Sequence, residues 1–183
     1  MKLLTSLYVV RHAHSIYTSD ERNRPLSEAG YLAAKLVHQL LAAEQVEIKI
    51  SSPYRRAWET IATNNLVIMD ERLRERQLAD SPAKNFHEAI HQLWMQEDFH
   101  FPGGESNKTA RTRGVAAFQD ILASYPGKRV AIGTHGNLMT LALGHYDNQF
   151  HYAFWKQLAM PAVWKLTFDG QQYIGAEQLC IQK

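Results

Sequence analysis

The amino-acid sequence predicts an α/β fold: a three-layer α/β/α sandwich with a mainly parallel sheet, a small helical insertion and a C-terminal β-hairpin. Three observations carry this. Short apolar, β-branched-rich runs alternate with segments of helical apolar period, as in a parallel sheet covered on both faces by crossover helices. A stretch of weak periodicity at about 77–105 interrupts the alternation. Near the C-terminus, Trp164, Leu166 and Phe168 alternate with polar residues up to Asp169-Gly170, a two-residue hairpin signal. A chain of 183 residues suits one core, so residues 1–183 are expected to form a single domain with a cap-like insertion at about 77–105.

Element by element, Ser6–Val10 reads as a buried strand with Arg11 and His12 at its C-terminal tip. Ser27 caps a helix whose apolar positions are Ala29, Leu32, Ala33, Leu36, Val37, Leu40 and Leu41. Val46–Ile50 is a second strand, and Ser51-Ser52-Pro53 opens a helix from Pro53 to about Asn64. Leu66–Met69 is a third strand that leads into the charged run Asp70–Arg76. Phe86, Ile90, Leu93 and Trp94 give the insertion its helical character. Ser106 starts a helix carrying Ala110, Gly114, Val115, Phe118, Ile121, Leu122 and Tyr125, which Pro126-Gly127 stops. Arg129–Thr134 is a strand ending at His135. The helix Gly136–Leu143 is apolar on all sides and so expected to be buried. Gln172–Ala176 is the return strand of the hairpin.

Bulk composition removes several function classes. Hydrophobic residues at 45% against 21% charged fit a packed globular chain rather than a disordered one. A formal charge of +2 is no nucleic-acid footprint, and no run approaches the roughly 20 apolar residues of a membrane span. The N-terminal apolar run breaks at Arg11 with no small-residue cleavage site, which argues against a secretory signal. Cys180 stands alone in an apolar stretch, so it reads as a small buried side chain in a reducing compartment, and a cytoplasmic location is expected.

In open parallel sheets, ligands bind beyond the carboxyl ends of the strands. Arg11-His12 and Thr134-His135-Gly136 both fall at such ends, so the two histidines are expected to converge. His12-Ala13-His14 alone is also compatible with a metal-binding pair, but no helical ligand pair supports it and Arg11 beside it repels a cation. A transferring phosphoryl group asks instead for fixed cations and donors around its oxygens, which arginine forks supply. A neutral imidazole, with an ordinary pKa of about 6.5, can attack phosphorus near neutral pH.

Four segments in order, Arg11-His12-Ala13-His14-Ser15, Ser51 to Thr60 with Arg55-Arg56-Ala57, Leu73-Arg74-Glu75-Arg76, and Gly133-Thr134-His135-Gly136-Asn137, resemble the histidine phosphatase superfamily, in its phosphoglycerate mutase-like branch. Arg24 to Gly30 and Pro102-Gly103-Gly104-Glu105-Ser106 extend the resemblance over almost the whole chain. It implies a metal-independent phosphatase, with no cofactor, acting on a small phosphorylated substrate through a phosphohistidine. By that resemblance His12 is the nucleophile, Glu75 the proton donor and later base, and His135 a donor to the phosphoryl oxygens. Arg11, Arg56, His14, Glu105 and the Gly136 amide are the expected substrate contacts. Arg56 is preferred to Arg55 because it precedes Ala57, and neighbouring helical residues point about 100° apart.

Ala13 and His14 replace the usual glycine and acidic or amide residue, and Gln77-Leu78-Ala79 replaces a glycine-containing stretch. The last departure favours hydrolysis over the alternative, phosphoglycerate mutase action. Ala13 and His14 keep a second alternative open, a catalytically silent phosphate-binding or regulatory protein on the same fold.

Overall fold

The computed structural model describes residues 3–62, 66–81 and 84–181. Six strands, β1 (Leu4–Arg11), β2 (Ile48–Ser51), β3 (Ile68–Met69), β4 (Arg129–Thr134), β5 (Ala162–Asp169) and β6 (Gln172–Leu179), form one sheet in the order β3-β2-β4-β1-β5-β6. The first four run parallel, and the β5–β6 hairpin joins antiparallel to β1. Gly170, at φ +59°, makes the hairpin turn without a side chain to strain it.

Alternation along the central strands divides the core between two faces. Tyr8, Val10, Ala131 and Val163 point towards α1 (Glu28–Ala43) and α2 (Arg55–Ile61), where Val37, Leu41 and Ile61 meet them. Leu7, Val9, Val130 and Ile132 point the other way, to Phe118 and Ile121 of α4 (Asn107–Ser124) and Leu138 and Leu141 of α5 (Gly136–Leu143). All eight residues of α5 are buried, as its apolar circumference predicts. It packs against α4 at Gly114, where an added β-carbon would lie 3.1 Å from Leu138. Two shorter helices complete the fold: α3 (Phe86–Met95), within the expected insertion, and α6 (Tyr152–Gln157).

Several expectations need correction. The buried stripe of α1 is Gly30, Ala34, Val37 and Leu41, while Ala29 and Leu32 face solvent. Small residues let the helix sit close: a β-carbon on Gly30 would lie 2.0 Å from the His14 carbonyl oxygen. Helix α2 starts at Arg55 rather than Pro53, and Tyr54 occupies the cap position without a side-chain bond. Ser52 is drawn elsewhere, its hydroxyl meeting the Tyr54 amide and His135. The helix ends at Ile61; the expected end at Asn64 lies outside the described residues. Strand β3 keeps two residues of its expected four, and β6 runs on to Leu179. Cys180 is exposed rather than buried, because it follows the edge strand of the sheet.

Candidate active site

Strands β1 and β4 are hydrogen-bonded neighbours, so their tips carry the two histidines side by side. The His12 amide donates to the Thr134 carbonyl at 3.1 Å, and the imidazole centroids of His12 and His135 stand 5.1 Å apart. The turn after His12 is pinned when the Ala13 amide donates to Thr60 Oγ1 on α2. Ala13 is fully buried, and among the described residues Gln45 is the one non-glycine at positive φ. Alanine in place of glycine therefore strains nothing here.

Both partners of the His12 ring demand the same tautomer. Nδ1 lies 2.7 Å from the Ala13 carbonyl, which can only accept, so the ring hydrogen is on Nδ1. Nε2 receives the Arg56 Nε–H at 3.3 Å and so presents its lone pair. Burial pushes the His12 pKa down to about 3, opposed by the Ala13 bond and reinforced by Arg56 and Arg11. The ring is neutral at physiological pH.

His135 is held well below the usual histidine range by complete burial and then by its neighbours His12 and Arg56. Its Nε2 meets Ser52 Oγ at 2.9 Å, while its Nδ1 is buried without a partner. Ser52 Oγ also accepts from the Tyr54 amide and keeps one hydrogen and one lone pair for Nε2, so this contact accommodates either imidazole tautomer.

His12 borders an open cavity of about 730 Å³. Arg11, His12, His14, Arg56, Glu75 and Gly136 line it, together with Glu21, Arg24, Tyr54, Arg76 and Asn137. Arg11 reaches the Leu158 carbonyl, and its Nε is buried without a partner. It lies across the start of α5, where a β-carbon on Gly136 would stand 3.0 Å from Arg11 Nε, so a side chain there would have to displace the guanidinium by a few tenths of an ångström. Burial lowers the pKa of Arg11 and Arg56 from the usual arginine value. Arg56 also bonds the Glu21 carbonyl at 2.7 Å and its carboxylate at 3.2 Å. Arg55, as the helical geometry predicts, turns away to Glu59 at 2.7 Å.

Glu75 is positioned by the strand beneath it: the buried Thr134 hydroxyl donates to the Leu73 carbonyl at 2.8 Å. Its carboxylate accepts from the amides of Arg76, Asn137 and Leu138, two of them at the start of α5. The helix-start donors expected for an anion are thus occupied by Glu75 beyond Gly136 itself.

His135 is brought beside His12, fully buried and outside the lining of the cavity. One expected residue is placed differently. Glu105 is not brought to the cavity: Arg113 grips it bidentately at 2.7 and 2.8 Å, and the Gln77 amide donates to it. Burial alone would raise the Glu105 pKa, but the Arg113 bonds outweigh it and lower the net value. A fork of this kind makes Glu105 a tie between the expected insertion and α4. His14 does border the cavity, with Nδ1 2.9 Å from the Ser27 hydroxyl that caps α1.

Sequence reasoning named no site role for Arg76 or Met160, read Trp155 as packing, and pointed to the loop of Glu21 and Arg24 for specificity without naming either residue; all five lie in the cavity wall. Arg76 directly follows Glu75, and Arg24 opens a recognised segment, so a signal existed for both. Trp155 sits on the six-residue helix α6, too short to show a period, and stacks on Tyr152 at 5.9 Å. Among the described residues no group of three or more His, Cys, Asp or Glu side chains is arranged to hold a metal ion. None of the helices described is long and apolar enough to cross a membrane.

Comparison with known proteins places this geometry in context. The model of the histidine phosphatase superfamily (branch 1) matches residues 7–175. A protein of Hydrogenobacter thermophilus named "Putative phosphoserine phosphatase 2" is 27% identical over 150 residues, covering 72% of this chain and 74% of its own. Among solved structures, YhfR of Bacillus stearothermophilus superposes with a TM-score of 0.74 at 25% identity, over 93% of this chain and 94% of that one. A phosphoserine phosphatase of Entamoeba histolytica in complex with phosphoserine gives 0.78 at 18% identity, over 97% and 98%.

Proposed function

Because this chain belongs to the histidine phosphatase superfamily, we propose that it hydrolyses small phosphomonoesters through a phosphohistidine on His12, without a metal ion. The observation that carries the reading is the His12 ring itself: neutral, its Nδ1 hydrogen fixed on Ala13, and its Nε2 lone pair beside the Arg56 guanidinium in an arginine-lined cavity. The phosphatase names of its relatives support the same class of reaction.

In the first step, with Glu75 entering in its protonated form, the Nε2 lone pair attacks phosphorus, the P–O bond to the leaving alcohol breaks, and Glu75 gives that oxygen its proton. Arg11 and Arg56 take the charge of the non-bridging oxygens as it moves. His135, beside His12 and with Nδ1 unpartnered, is assigned as a donor to one of them in the tautomer that carries its hydrogen on Nδ1. Glu75, now a carboxylate, then removes a proton from water as the water oxygen displaces Nε2 from phosphorus, returning phosphate and the neutral imidazole. His14 and Gly136 border the same cavity and are assigned to the substrate. The structure favours no such role for Glu105. The expected insertion, with α3, is read as the cap over this site, and the lone cysteine as the mark of a cytoplasmic protein.

The test is hydrolysis of p-nitrophenyl phosphate and phosphoserine in the presence of EDTA. The expected result is turnover that EDTA does not reduce and that His12→Ala lowers by roughly three orders of magnitude or more. Failure to hydrolyse any member of a broad phosphomonoester panel would overturn the reading.

A further inference from the structure

Arg56 is buried, with 3% of its surface exposed, and all of its guanidinium nitrogens already have partners. Nε donates to His12 Nε2 at 3.3 Å, Nη1 donates to the Glu21 carbonyl at 2.7 Å, and Nη2 stands 3.2 Å from Glu21 Oε2. The other oxygen of the same carboxylate is held by Arg24. A carboxylate that bridges two guanidinium groups in the wall of this cavity takes the place a phosphoryl group needs, because both anions use the same arginine fork.

The backbone of Glu21 is anchored and its side chain is not. Besides the bond from its carbonyl to Arg56, Asp20 closes the loop by accepting from the Asn23 amide at 3.0 Å and the Asn23 side chain at 2.8 Å. The carbonyl of Arg22 accepts from the Arg55 amide at the start of α2 at 2.8 Å. The Glu21 side chain is 48% exposed, so it can turn out into water about its own bonds while the loop stays where it is. A desolvated guanidinium needs a counter-charge at all times, and Glu21 supplies one to Arg56 until another anion arrives. Left in place, the carboxylate would face the phosphoryl oxygens across a single guanidinium, where buried like charges repel strongly.

Resting on the hydrolase reading above, we infer that Glu21 sets the phosphate affinity of the site by acting through Arg56: its carboxylate stands in for the phosphoryl oxygens, is displaced when substrate binds, and returns to drive inorganic phosphate out after the phosphohistidine is hydrolysed. The exchange makes and breaks no covalent bond; one anion replaces another on the same cation. Arg24, whose guanidinium lies over the Tyr17 ring at 5.2 Å, offers the displaced carboxylate a second positive partner.

The experiment measures binding of inorganic phosphate to the full-length protein by calorimetry, in the wild type, Glu21→Gln and Glu71→Gln. Glu71 is the control, because it pairs with Arg22 of the same loop at 2.6 Å and its substitution removes the same charge without touching Arg56. Expected in Glu21→Gln is a Kd lower by at least about fivefold, with the KM for p-nitrophenyl phosphate falling alongside it, while Glu71→Gln stays within about twofold of the wild type. Tighter binding is a readout that a merely structural Glu21 does not give, since a loosened Arg56 would hold phosphate less well. Unchanged or weaker phosphate binding in Glu21→Gln overturns the inference. So does an equal gain in Glu71→Gln, which would trace the effect to net charge alone. Hydrolysis of p-nitrophenyl phosphate by the wild type separates the two readings. Turnover with a phosphate affinity that Glu21→Gln does not raise sinks only the role of Glu21, whereas tighter phosphate binding in that variant without turnover of any ester by the wild type sinks only the hydrolase.

Discussion

At one end of the cavity the reactive groups stand on strand tips. His12 follows β1, His135 follows β4, and Arg56 lies in the first turn of α2 immediately after β2. Their positions are set by backbone bonds between neighbouring strands, such as His12 to Thr134 and Ser52 to Gly133, and by full burial of the strands beneath. At the other end the wall is made by Gln77, Leu78, Ala79 and Phe86, from the expected insertion, and by Trp155 and Met160 from the segment before β5. That wall is held by side-chain ties, Glu105 to Arg113 and Arg76 to Asn107, and part of it is exposed, as Phe86 shows at 48%. The contrast teaches a division of labour. Chemistry that must not move is built on the sheet, while substrate shape is met by loops whose sequence can change without disturbing the core.

The largest test of this contrast is Arg56→Lys. The charge is kept, but the Nε–H contact to His12 and the planar fork are lost, so kcat/KM is expected to fall by roughly a hundredfold for every phosphomonoester tried. A loss confined to some substrates would place Arg56 with the wall instead.

A second test uses pH. His12 is neutral in the folded protein down to about pH 3, but takes a proton near 6.5 when unfolded. The unfolded state therefore binds more protons below that point, and stability is full above about 6.5 and lost as pH falls towards 3. The slope reaches about 1.4 kcal/mol per pH unit from this group, with His135 acting in the same direction. Denaturant midpoints at pH 7.5 and 5 should drop in the wild type and drop less in His12→Asn. Equal slopes would mean that His12 is not held neutral by burial.

The smallest effect is expected from Glu105→Gln. Losing the charged fork to Arg113 should lower stability by about 2 kcal/mol in chemical denaturation, with kcat/KM changed less than about threefold. A large kcat loss with stability intact would return Glu105 to the site.

The same contrast explains what the sequence disclosed. The sheet and the convergence of His12 and His135 were legible because β-branched runs end directly at those residues, so position along the strand already implies position in space; Arg56, inside α2, was singled out only by the resemblance, as the residue before Ala57. The face of α1 was read less well, since Gly30 and Ala34 carry its close packing while the larger Leu32 faces solvent. Arg76 was passed over because its burial depends on Asn107, 31 residues away, a contact that no local pattern encodes. Glu105 was misplaced for the same reason, its partner Arg113 being two turns along a helix that the sequence located but could not orient. Helix α6 has six residues and was not seen at all.

The claim on which the mechanism turns is a covalent bond between His12 Nε2 and phosphorus. Quenching the enzyme in alkali during turnover of p-nitrophenyl phosphate, followed by peptide mapping, should find one phosphate per chain on His12 and none in His12→Ala. Phosphate on another residue, or turnover by a fully active enzyme that never carries one, would contradict the account.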